Sequence, residues 1–81
     1  MSTTYLFIFI NGGYYFVREN SFKKALKDCA AYVGIFTEVL KKCIDGFLEE
    51  EYEDLVAVFN KFSITDADKI ESIYEVNREI F

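Results

Sequence analysis

The chain has no histidine, no proline and no tryptophan, and only two cysteines, one methionine and four glycines in 81 residues. Without histidine it lacks the commonest general base, the serine and cysteine triads built on it, and most transition-metal sites. Cys29 and Cys43 form neither a disulfide framework nor, on their own, a tetrahedral zinc site, so two buried thiols in a reducing cytoplasm are expected. Long apolar runs are missing too. Tyr5 to Ile10 is far short of the roughly 20 residues that span a bilayer, and no Lys or Arg precedes it, so neither membrane insertion nor export is expected. No glycine-rich phosphate loop is present, because Asn11-Gly12-Gly13 reads as a hairpin turn. Carboxylate-only catalysis needs a cleft that so small a domain has little room for. The expectation is a protein that is not an enzyme and carries no cofactor and no metal.

What is present argues for folding. Apolar residues make up 52%, with nine Phe and six Tyr, which exceeds what a disordered chain carries even at net charge −5. One domain over residues 1–81 is expected, burying roughly 60% of its unfolded surface, with a stability on the order of 4 to 12 kcal/mol.

Residues 4–18 read as a β-hairpin, since Tyr5-Leu6-Phe7-Ile8-Phe9-Ile10 and Tyr14-Tyr15-Phe16-Val17 are β-prone runs around Asn11-Gly12-Gly13. A two-residue loop places Tyr5, Phe7, Phe9, Tyr14 and Phe16 on one face and Leu6, Ile8, Ile10, Tyr15 and Val17 on the other. A three-residue loop swaps the second strand's faces. Ser21 to Val33 reads as an amphipathic helix capped by Asn20 or Ser21 and stopped at Gly34. Ile35 to Phe47 continues the helical period, with a stop at Gly46. On helices folded back at Gly34, Cys29 and Cys43 are about 6 Å out of step along the axis, which disfavours a disulfide. Leu48, Tyr52, Leu55, Val56, Phe59 and Phe62 form a helical stripe behind Glu49-Glu50-Glu51, in competition with a third strand at residues 55–59. Thr65-Asp66-Ala67-Asp68 resembles a capping box, which predicts a fourth helix from Asp66 to Glu79. The expected class is α+β: an N-terminal hairpin, completed by a third strand or a dimeric sheet, packed against three to four helices.

Charge is unevenly spread. Up to Ile44 the chain carries six basic residues against three acidic ones, a balance of +3, and beyond it three against eleven, a balance of −8. Asp45, Glu49, Glu50, Glu51, Glu53 and Asp54 form a cluster without a basic residue among them. It serves either as a solubilising face or as a surface that meets a basic groove by imitating spaced phosphates. Net −5 repels phosphate, and Lys23, Lys24, Lys27, Lys41 and Lys42 are only a modest patch, so no direct nucleic-acid binding is expected.

Tyr5, Phe7, Phe9, Tyr14 and Phe16 could stack bases, but only Arg18 is near them, and core or dimer interface is the better reading. If the helices cover Leu6, Ile8, Ile10 and Val17, the aromatic face is left for self-association, with the first strand pairing its symmetry mate in a homodimer.

In length, acidity, aromatic content and hairpin-plus-helices layout, the chain resembles the small proteins encoded by bacteriophages and mobile elements, among them the anti-CRISPR proteins. The resemblance implies a non-enzymatic inhibitor in the cytoplasm of a bacterial host, binding a nucleic-acid-binding CRISPR effector. No motif carries a functional residue across, and the acidic cluster is nominated on electrostatics alone. The alternative is a phage assembly or antitoxin-type interaction protein acting through its apolar hairpin.

Overall fold

The computed structural model describes residues 2–81. β1 (Thr3–Phe9) and β2 (Tyr14–Glu19) form the expected hairpin. Its loop is Ile10-Asn11-Gly12: the Gly12 N–H donates to the Phe9 carbonyl at 2.9 Å, and the Phe9 N–H donates to the Gly13 carbonyl at 2.9 Å. Gly12 takes the left-handed conformation at φ 87° that ends such three-residue turns, and the Asn11 side chain accepts from the Gly13 N–H at 2.7 Å. The one-residue difference from a two-residue loop decides the faces. Phe7 lies opposite Tyr15 and Tyr5 opposite Val17, so Tyr5, Phe7 and Phe9 share a face with Tyr15 and Val17, while Tyr14 and Phe16 join Leu6 and Ile8 on the other.

α1 (Phe22–Val33) is capped by Ser21, whose hydroxyl accepts from the Lys24 N–H, and closed by Gly34 at φ 83°. α2 (Glu38–Asp45) starts three residues later than the periodicity suggests. The Thr37 hydroxyl accepts from the Leu40 N–H at 3.1 Å and fixes the first turn there, leaving Ile35 to enter the core from the link. α3 (Tyr52–Phe62) is a helix throughout, so residues 55–59 are not a strand.

The last segment corrects the sequence reading. Thr65 and the residues after it make one 3-10 turn at Asp66–Asp68, and the chain then runs as β3 (Ile70–Glu75) and β4 (Arg78–Glu79) where a fourth helix was expected. A bulge explains the false period. Ile8 pairs with Ser72 and Phe9 with Ile70, so Glu71 is an extra residue, and Ile70 and Ile73 reach the core at a three-residue spacing that imitates a helix. The Asn60 side chain accepts the Ile70 N–H at 2.8 Å and anchors the strand's start to α3.

β3 pairs with β1, giving an antiparallel sheet in the order β2-β1-β3-β4. β1 is therefore central, and the expected dimer through its free edge is ruled out because β3 occupies that edge. One core lies between the sheet and the helices, built from Tyr5, Phe7, Phe9, Ile70 and Ile73 below and Phe22, Leu26, Leu40, Ile44, Leu55 and Phe59 above. α1 lies over β1 and β2, α3 over β3, and α2 packs on both helices.

Candidate functional site

The aromatic set nominated for self-association divides in two. Tyr5, Phe7 and Phe9 are core residues, with Phe7 fully buried 6.2 Å from the Phe22 ring and 6.4 Å from the Tyr15 ring. Tyr14 and Phe16 stand in solvent on the opposite face at 65% and 63% exposure. All three helices cover the same side of the sheet, so that opposite face is bare. By register its rows run Phe16, Leu6 and Tyr74, then Tyr14, Ile8 and Ser72, with Arg18 beside Thr4 at one end. Leu6, Ile8, Gly12, Tyr14 and Phe16 line a shallow apolar depression of about 470 Å³. Leu6, Ile8 and Tyr74 are the residues that sequence reasoning missed here. The signal was present in the asparagine-glycine pair, which suits a three-residue loop ending in a left-handed glycine as well as it suits a two-residue one.

The acidic cluster also divides. Asp45 is ion-paired to Lys27 at 2.6 Å, which holds its carboxyl below the usual range. The Glu49 Oε1 accepts the Lys23 N–H at 2.7 Å, placing a carboxylate on the first turn of α1, a helix with no acidic residue of its own there. Its Oε2 is buried without a partner. Glu51 accepts the Leu48 N–H at 2.7 Å in the link before α3. Glu50, Glu53 and Asp54 face solvent. The structure thus places three of the six nominated carboxylates in contacts within the chain and leaves three outward.

Elsewhere, Asp28 on α1 sits by Glu19 of β2. Burial, with Glu19 as hydrogen-bond acceptor and like charge, pushes its carboxyl up to about 6, partly opposed by Lys24. Since an unfolded aspartate titrates near about 4, the native state holds a proton between about pH 4 and 6 that the unfolded chain releases. Stability from this group is therefore present below that window and lost as pH rises through it. The expected result is a Tm that falls between about pH 4 and pH 6, by a few degrees at most because screening at a partly exposed site keeps the effect below about 1 kcal/mol. Asp28→Asn should flatten this step and raise Tm at pH 7. Superimposable thermal melts of both proteins across the range would remove the carboxyl pair from the account.

Cys29 is buried, which pushes its thiol far above neutral pH, and Cys43 is half-buried and free. Among the described residues no three His, Cys, Asp or Glu side chains gather as a metal ion would need, and no helix is long and apolar enough to cross a membrane. A second depression of about 390 Å³ lies between the hairpin turn and the end of α1, lined by Phe9, Asn11, Tyr14, Tyr32, Val33 and Asp68. It contains no paired acid and base. No family model, no curated protein and no solved structure matches the chain.

Proposed function

We propose that the chain is a non-enzymatic protein-binding module that takes its partner on the bare face of its sheet. The observation that carries this reading is the contiguous apolar surface of Leu6, Ile8, Tyr14, Phe16 and Tyr74 on a protein whose helices all lie on the other side. Contiguous exposed apolar surface marks interaction sites, and aromatic residues dominate the energetics of such interfaces. A protein partner fits better than a nucleic acid, because Arg18 is the one basic residue among those paired by register on this face, Glu79 lies opposite Tyr74, and the chain carries net −5.

The reading as an anti-CRISPR-like inhibitor of a bacterial effector, with an acidic surface in a basic groove, is supported by three outward carboxylates, Glu50, Glu53 and Asp54. Affinity capture from bacterial lysate separates the two. Ile8→Lys with Tyr74→Lys should keep the fold by circular dichroism and lose the captured partner. Glu50→Gln, Glu53→Gln and Asp54→Asn together should keep it. The reverse pattern, with capture surviving on the altered sheet and lost with the carboxylates, would move the interface to the acidic side.

A further inference from the structure

The sheet's two edges differ in how they are guarded. β4 is two residues long, both charged, and a short charged edge resists pairing. β2 is six residues long, with no lysine and no proline. The phase of its pairing follows from the turn. The Phe9 N–H donates to the Gly13 carbonyl, so hydrogen-bonded pairs with β1 fall at Tyr15, Val17 and Glu19. The main-chain N–H and C=O groups of Tyr14, Phe16 and Arg18 consequently point away from β1, and no backbone bond takes them up among the described residues.

We propose that this edge pairs with the same edge of a second copy of the chain, antiparallel about a two-fold axis through Phe16. Self-complementarity selects both the occupant and the register. Centring on Phe16 overlaps the strands from Tyr14 to Arg18 and places each Tyr14 opposite Arg18 of the other copy, where the guanidinium lies against the phenol ring. Centring on Tyr15 or Val17 would bring only two of the three outward-pointing residues of β2 into hydrogen-bonded pairs, centring on Arg18 would oppose two guanidinium groups, and centring on Tyr14 would pair the strand with the loop. The electrostatics agree. Arg18 and Glu19 cancel on β2, while the −8 excess lies in the residues from Asp45 onward, at the end of α2, on α3, β3 and β4, and in the links between them. Two copies joined at β2 thus keep their acidic sides apart. The product is an eight-stranded antiparallel sheet with its apolar faces continuous. The pairing uses the edge and not the face, so it stands whether or not a foreign protein docks on that face.

Sedimentation equilibrium over a wide concentration range, with cysteine cross-linking, tests the pairing. The native protein should be a reversible dimer. Phe16→Pro removes an outward N–H without touching the hairpin's own ladder, and Phe16→Lys opposes two charges at the axis. Each should raise the dissociation constant at least tenfold, and the lysine variant decides the matter if the proline one fails to fold. In a Cys43→Ser background, Phe16→Cys should oxidise to a covalent dimer, since residues opposed in a hydrogen-bonded pair sit about 5.5 Å apart at Cα. Tyr74→Cys, on the same face two strands inward, should not. A native protein that stays monomeric throughout, or a dimer that Phe16→Lys leaves intact and Tyr74→Cys cross-links, overturns the edge pairing. A monomer that still captures a partner through Ile8 and Tyr74 would refute the dimer alone.

Discussion

Phe7→Ala is expected to remove a large share of the chain's stability. The side chain is fully buried on the central strand and packs between Phe22 of α1 and Tyr15 of β2, so truncation opens a cavity where sheet and helix meet. Losses for such a change run about 3 to 5 kcal/mol. A domain of this length has on the order of 4 to 12 kcal/mol in total. Urea titration followed by far-ultraviolet circular dichroism should show a midpoint far below that of the native protein. The neighbouring Ile8→Ser, one residue on but facing the bare side of the sheet, should retain a cooperative transition. This reverses the sequence-based expectation that the face carrying Phe7 and Phe9 is left free for self-association. Similar midpoints for Phe7→Ala and Ile8→Ser would show that the sheet does not bury the face described here.

Within the acidic cluster, Glu49→Ala should be the costly change. Its carboxylate accepts the Lys23 N–H at 2.7 Å, and a charged acceptor on the first turn of a helix satisfies a donor that the helix itself cannot. Charge-assisted bonds of this kind contribute about 1.5 to 3 kcal/mol, and removing the acceptor leaves a part-buried N–H unpaired. The expected loss is about 2 kcal/mol by urea denaturation, visible also as faster amide exchange at the start of α1. Glu50→Gln and Glu53→Gln, at exposed side chains with no hydrogen bond or ion pair among the described residues, should leave the midpoint nearly in place. Equal effects at all three positions would mean that the cluster acts by bulk charge and not through this contact.

The hairpin, α1 with its Ser21 and Gly34 caps, and α3 were legible because each carries its own local signal: a turn pair, a capping hydroxyl, a 3.6-residue stripe. What was not legible depends on partners distant in sequence. The strand at residues 70–75 has its apolar period broken by the bulge at Glu71, and its pairing with β1 is set by a segment at the other end of the chain. The faces of the hairpin were ambiguous for a different reason. β1 is apolar on both sides, so only loop length orients it, and one residue in the loop turns every side chain of the second strand over. The acidic cluster was visible as charge, but its division into contacts within the chain and free carboxylates was not, because the Glu49 partner lies 26 positions earlier on a helix that lacks an acidic first turn.

The placement of β1 in the middle of the sheet bears on how the protein is made. Tyr5 pairs with Val17 within the hairpin but with Glu75 across 70 positions, so one side of β1 stays open until residues 70–75 have been made. During that interval Tyr5-Leu6-Phe7-Ile8-Phe9-Ile10, a segment with no charge and no proline, is exposed along one edge, which is the composition that recruits other nascent strands. Long-range closure of this kind also slows folding relative to a helical protein of the same size. Efficient production therefore depends on how fast residues 70–75 reach β1, and a slower arrival favours aggregation even when the finished fold is equally stable.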